Sequence, residues 1–306
     1  MFLFRTKSEE RRGEQYAFLS ALLIAIFPVV IHYASGVIPP TFFASLTTLT
    51  AAVFMMFLMT FYGRWKELQI KAAWIPMVMV TLFIVVLPLP LIYNGTRLTS
   101  GINTSILLTT EIFFALLFTH FSGETITLKK TIGGIAIILG TVFTLTNGHF
   151  TLNAGDLMIV LATALHPIGN LYAKKVLALV SPITLVFVRS LLGGLALLAI
   201  SFLSESIFTS GNQAMALAVS LGWLILLNGI LLSAVSKLVW YQALKRLQVG
   251  KAVIIVMSYP SLSMILSVLF LKEIPTLYQL GGLLIIFAGL TTITYHERSK
   301  VQPNVG

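Results

Sequence analysis

Apolar residues run for bilayer length, stop at short polar clusters and start again, from residue 16 to residue 295. A spanning helix needs about 20 mostly apolar residues. Ten such runs are expected: 16–35, 39–62, 73–93, 99–120, 130–147, 155–175, 180–203, 217–243, 250–271 and 276–295, the fifth being the shortest. The loops between them are brief, the longest being 205–216, and no stretch reads as a soluble domain. The expected class is therefore an all-α polytopic membrane protein. The charged start, residues 1–14, shows no A-x-A cleavage site and reads as a tail ahead of a retained first span.

Composition agrees. Only 10% of the residues are charged, against about 25% in soluble domains. The mean hydropathy is +0.95, more apolar surface than one soluble core can hide. The net charge of +10 would suggest nucleic acid in a soluble protein, but here it is loop charge and no nucleic-acid partner is expected. There is no cysteine, so disulfides, Cys-ligated metals and thiol nucleophiles are excluded. No cofactor is expected.

Charge position sets topology in membranes. The side of the N-terminus receives Arg5, Lys7, Arg11, Arg12, Arg64, Lys66, Lys71, Lys129, Lys130, Lys174, Lys175, Lys245, Arg246, Lys251, Arg298 and Lys300. The other side receives Arg97 and Lys272, while Arg189 and Lys237 lie inside spans. This split predicts both termini in the cytoplasm and an even number of spans.

The chain also repeats. FSGETITLKKTIGGIAIILGTVFTL (121–145) aligns with FLKEIPTLYQLGGLLIIFAGLTTI (270–293) at an offset of 149, pairing Glu124 with Glu273, Gly133 with Gly282 and Gly140 with Gly289. AIFPVVIHYA (25–34) resembles ALHPIGNLYA (164–173) more weakly. Two five-span units result, 15–147 and 155–295, with a C-terminal tail at 296–306. Five is odd, so the second unit enters the membrane inverted, the architecture of many secondary transporters, whose substrate site lies at the midplane between repeats.

The run 239–290 contains WYQALKRL, a mid-helix proline at Pro260, Lys272-Glu273 at a helix end and GGLLIIFAG. These pieces resemble the closing part of an EamA-type member of the drug/metabolite transporter superfamily, and at the level of ten helices the likeness covers the chain. It implies a carrier for small metabolites, often an exporter, with a central cavity worked by alternating access. Two departures stand out. The position matching Pro260 in the fourth span holds Glu111, and the first-half counterpart of Arg189 is Thr47.

Polar groups at depth carry the candidate chemistry. Glu111 lies mid-span in SILLTTEIFFALLFTH (105–120), where a charge costs about 2.5–3.5 kcal/mol on insertion scales. It is too short to reach a headgroup, so it is neutral, pairs with a cation such as Arg189 or Lys237, or faces a wet cavity. It is the candidate for proton coupling, holding a proton in one access state and yielding it when substrate binds. Thr163, His166 and Asn170 form a stripe, read either as cavity lining or as interhelical bonding, beside Pro167, a residue that could break the helix and free backbone carbonyls. His32 beside Pro28 repeats part of that pattern. Ser233, Lys237, Trp240 and Tyr241 share a face, with Lys237 either lining the cavity or snorkelling to the headgroups. Asn228, nine residues from Lys237, falls on the opposite face and is left out. Arg189 reads as substrate contact or as a structural bond. The expected substrate site is thus Glu111, Arg189, His166, Asn170, Lys237, Trp240, Tyr241 and His32, with Tyr33 and Tyr172 nearby.

Thr41, Ser45 and Thr48 read as interhelical glue, the paired glycines as scaffold packing, and Glu124 and Glu273 as caps on the helices that follow them. Asn94-Gly95 reads as a turn. Mixed charge with aromatics suits a zwitterion such as an amino acid first, an organic anion or phosphorylated metabolite second and a cationic drug third. An intramembrane enzyme is disfavoured because Asp156 is the sole aspartate and no H-E-x-x-H occurs. A channel is disfavoured because no filter repeat or acidic ring occurs. The expected partners are a small-molecule substrate, the lipid bilayer and protons, with the chain a monomer or a homodimer.

Overall fold

The computed structural model describes residues 7–121, 128–146, 153–204, 219–247, 249–256 and 258–299, all helical or in short links between helices. Glu124, the 205–216 loop and the residues from 300 onward lie outside these. Among the described residues seven helices are long and apolar enough to cross a membrane, and three shorter apolar helices, Thr131–Thr144, Tyr259–Leu271 and Leu277–Thr292, fall where the fifth, ninth and tenth spans were expected.

In chain order, α1 is Lys7–Ile24 continued by Phe27–Ser35, α2 is Pro40–Phe61 and α3 is Lys71–Thr81 continued to Leu98. The fourth, α4, is Gly101–Leu107 continued to Phe121, and α5 is Leu128–Thr146. Then come α6, Ala154–Val176, and α7, Pro182–Ser204. The last three are α8, Gly222–Leu226 continued to Arg246, α9, Val249–Val256 continued by Tyr259–Leu271, and α10, Leu277–Ser299.

Helix α1 starts earlier than the apolar pattern suggested. Its charged first turns are helical because Glu9 pairs with Arg246 at 3.0 Å and Glu14 with Lys251 at 2.7 Å. The Asn94-Gly95 turn is likewise overturned. Both residues are helical in α3, where Asn94 Nδ2 donates to Thr41 Oγ1 at 3.0 Å and Gly95 meets the Gly155 backbone of α6. Any side chain at Gly95 would strike that carbonyl, so Gly95 here serves close packing. Pro167 leaves α6 unbroken, because one lost N–H in a long helix held on several sides is tolerated.

The tightest pairings are α5 with α10, α2 with α7, α3 with α6 and α1 with α8. Exchanging the first five helices for the last five maps this set onto itself. Glycines permit the first pairing: a Cβ at Gly140 would meet the Gly282 carbonyl, and one at Gly289 the Gly133 carbonyl. Small residues let helices approach closely where lipid offers no hydrophobic drive.

Several helices depart from α geometry part-way along. Pro28 cannot donate to the preceding turn, and α1 opens at residues 25–26 just before it. Pro88 and Pro90 remove two donors from α3, and the ladder ahead of them widens to i→i+5 bonding over Leu82–Val86. α8 widens similarly over Leu227–Val235. α4 tightens to a 3₁₀ turn at Leu108–Thr110, where the Thr109 and Thr110 hydroxyls bond the Ile106 and Leu107 carbonyls. Pro260 lies in the first turn of the restarted half of α9. Glu111, its counterpart in the repeat, likewise opens the second half of α4.

Candidate functional site

These irregular turns converge on one cavity. Ile24 and Phe27 of α1, Ile84 and Val85 of α3, Leu108 and Glu111 of α4, Leu232 and Ser233 of α8, and Val256 and Tyr259 of α9 all flank a break and all line it. The regular helices α2, α6 and α7 add Thr48, His166, Asn170, Arg189 and Ser190. A widened or broken turn shows carbonyls and re-aims side chains, and such bulges often sit at functional sites.

One wall is a chain of hydrogen bonds. Glu111 Oε2 lies 3.0 Å from His166 Nδ1. Asn170 Nδ2 donates to Glu111 Oε1 at 3.0 Å, and Trp240 Nε1 donates to Asn170 Oδ1 at 3.3 Å. Next to it, Thr110 and Thr163 share a 2.7 Å hydroxyl bond. The direct partners of Glu111 are therefore His166 and Asn170, rather than Arg189 or Lys237 as the cation-pairing alternative had it.

The other wall carries the cations. Arg189 is 4% exposed, and its Nη2 donates to the Ser233 carbonyl at 3.2 Å, in the widened turn of α8. Its guanidinium lies over the Tyr241 ring at 5.7 Å, and its buried Nε has no partner among the described residues. Lys237 lines the cavity, within electrostatic range of both Arg189 and Glu111.

The structure thus brings together Glu111, Arg189, His166, Asn170, Lys237, Trp240 and Tyr241. It does not bring His32. That ring lies toward the other end of α1, with Nδ1 3.1 Å from the Thr96 carbonyl and Nε2 3.7 Å from Glu273. Tyr33 is half-exposed, and the Tyr172 ring packs under Lys175 instead of the cavity.

Glu273 does cap a helix, but not the one that follows it. Its oxygens accept from the Gly101 and Ile102 N–H groups at 2.7 and 2.8 Å, tying the α9–α10 link to the start of α4. At the basic end Glu67 accepts from Ser181 N–H at 2.7 Å and Thr184 Oγ1 at 2.6 Å, capping α7. Burial pushes the Glu67 carboxyl up, but the Thr184 and Ser181 hydrogen bonds and nearby Arg64 outweigh it and hold the group below its ordinary value.

Sequence reasoning missed Tyr93 and Tyr259, both lining the cavity. Asn228, left out of the site, is not among the lining residues; its Nδ2 donates to Tyr93 Oη at 3.0 Å.

With this geometry in view, the comparisons are direct. The sequence matches the EamA-like transporter family over residues 11–146 and again over 153–295. The chain belongs to that family. It is therefore of the EamA type within the drug/metabolite transporter superfamily. It is similar to the uncharacterized transporter YoaV of Bacillus subtilis (strain 168), 26% identical over 85% of this chain and 90% of the relative. It is also similar to an uncharacterized transporter of Archaeoglobus fulgidus, 26% identical over 74% of this chain and 78% of that one. A solved crystal structure shares the fold, with a TM-score of 0.68 at 18% identity, over 95% of this chain and 99% of its own.

Proposed function

We propose that this EamA-family member is a secondary transporter, and not an enzyme, that exports a small polar metabolite such as an amino acid by alternating access. Two inverted five-helix repeats, ten spans in all with both termini in the cytoplasm of the inner-membrane protein, rock about the central cavity. The observation that carries this is Arg189. It is a buried guanidinium 5.7 Å from the Tyr241 ring centroid, with a buried, unpartnered Nε, on a side chain that lines the cavity. A planar fork of this kind pairs with a carboxylate. Glu111 and His166 on the other wall suit an ammonium group, and Tyr93, Trp240, Tyr241 and Tyr259 surround the space between. A proton exchanged at the Glu111 wall couples transport to the pH gradient.

One observation favours an organic anion or phosphorylated metabolite as second reading. Glu111 is already held by His166 and Asn170, whereas Lys237 takes no hydrogen bond among the described residues. Proteoliposomes loaded singly with labelled amino acids, organic acids and sugar phosphates separate the two. Export of an amino acid, abolished in Arg189→Ala while that variant still reaches the membrane, is the expected result. Full rates in Arg189→Ala would remove Arg189 from the site. Flux of none of the probes, or single-channel currents, would sink the carrier reading.

A further inference from the structure

Resting on the proton-coupled reading of this cavity, we infer that the proton-accepting atom is Nε2 of His166, and that Glu111 is a positioning residue held as a fixed acceptor. The reasoning starts at Trp240. An indole N–H only donates. Trp240 Nε1 faces Asn170 at 3.3 Å, so the atom it meets is the amide oxygen and the other amide atom is NH₂. That NH₂ donates to Glu111 Oε1, which is therefore an acceptor without a hydrogen. A carboxyl hydrogen has one place left, Oε2, and Oε2 is 3.0 Å from His166 Nδ1.

That contact holds a single hydrogen. On Oε2 it would make a neutral acid and leave Nδ1 as acceptor. On Nδ1 it leaves a carboxylate beside a neutral imidazole. Arg189 decides between them, since a permanent cation lining the same cavity as Glu111 favours the anion. The hydrogen therefore rests on Nδ1, and in the neutral ring Nε2 carries the lone pair. Nε2 takes no bond from the protein among the described residues, on a side chain that lines the cavity. The titratable and charged groups around the cavity are Glu111 from α4, Arg189 from α7, Lys237 and Tyr241 from α8, Tyr259 from α9 and Tyr93 from α3.

Uptake of one proton at Nε2 changes the pair from carboxylate–imidazole to carboxylate–imidazolium, and its net charge from −1 to 0. A substrate ammonium seated against the same carboxylate replaces the imidazolium as its counter-ion. Proton and substrate then exclude each other, as exchange of one for the other requires.

The test is the tautomer of His166, read by ¹⁵N NMR of the full-length, ¹⁵N-histidine-labelled protein in nanodiscs at neutral pH. The His166 signal is assigned by its loss in His166→Gln or, should that variant not fold, by its shift in Trp240→Phe. The native protein is expected to carry the hydrogen on Nδ1, with acidification adding a second at Nε2. Glu111→Gln is expected to reverse the tautomer. The Asn170 NH₂ selects the new amide's oxygen, its NH₂ then points at Nδ1, and the hydrogen moves to Nε2. A native signal with its hydrogen on Nε2 would overturn the inference, as would a Glu111→Gln variant that keeps the native tautomer. The measurement uses no substrate, so a failure to transport any probe sinks the proposed function without deciding the tautomer.

Discussion

Glu111 and Glu273 are both carboxylates in a chain of low charge, and each has a histidine nitrogen nearby, at 3.0 and 3.7 Å. Their other partners differ. Glu273 accepts from two backbone N–H groups at the first turn of α4, donors that cannot titrate or swing away and that sit at the positive end of a helix. Glu111 meets two side chains on α6, accepting from Asn170, which Trp240 aims, and lying 3.0 Å from His166 Nδ1. A carboxylate bound by backbone is a joint. A carboxylate bound by side chains facing a cavity is a site. The same residue type thus serves scaffold in one place and proposed chemistry in the other, and its donors tell which.

The strongest test of this contrast is removal of the joint. Glu273→Ala leaves the Gly101 and Ile102 N–H groups without acceptors and cuts the tie between the α9–α10 link and α4. The expected loss is about 2 kcal/mol, the scale of a lost cap plus unsatisfied buried donors, read as reduced thermal stability in detergent. Glu111→Gln keeps the Asn170 bond as it stands and the His166 bond with its polarity reversed, and is expected to change stability by under about 1 kcal/mol. Equal stability losses in the two variants would erase the distinction.

Glu67 sharpens it, because it is a second joint, at the basic end, that can be titrated. Its folded-state carboxyl is held below the ordinary value of 4.5, so it stabilises the fold above that pH. The contribution is lost as pH falls through the lower, folded-state value. Glu67→Gln is expected to lose about 1 kcal/mol at neutral pH, with the native protein and the variant converging in acid. A gap between them that persists or widens below pH 4 would show that Glu67 acts through something other than its charge.

Much of this was legible in the chain because lipid is a strict solvent. Apolar runs marked the helices, and a carboxylate mid-run had to face protein or water, so Glu111 was found from its neighbours alone. His166 and Asn170 followed from α spacing in a helix that stays regular through Pro167. The glycines of the two repeats read as packing, and Gly140 of one does meet the backbone of Gly282 of the other. What failed depended on geometry that no pattern states. Asn94-Gly95 looked like a turn, yet Gly155 on α6 gives Gly95 a packing reason to be helical. His32 shared a proline-and-histidine pattern with α6, but its height along α1 puts it beside Thr96 and Glu273, away from the cavity.

His32 also provides the smallest and most discriminating effect. Its Nδ1 donates to the Thr96 carbonyl, so in the neutral ring Nε2 turns a lone pair toward Glu273, too far at 3.7 Å for a hydrogen bond. The side chain is 30% exposed, and a partly solvated pair at that distance is worth about 0.5 kcal/mol at most. His32→Gln keeps a donor for Thr96 and is expected to change stability by no more than that, leaving flux and its pH-gradient dependence as in the native protein. His166→Gln is expected to do the reverse at similar stability, losing the response to a pH gradient while substrate exchange continues. The paired variants compare two histidines beside two glutamates in one assay. If His32→Gln abolishes the pH response and His166→Gln spares it, the proton site lies at the α4 joint and the roles of the two glutamates are exchanged.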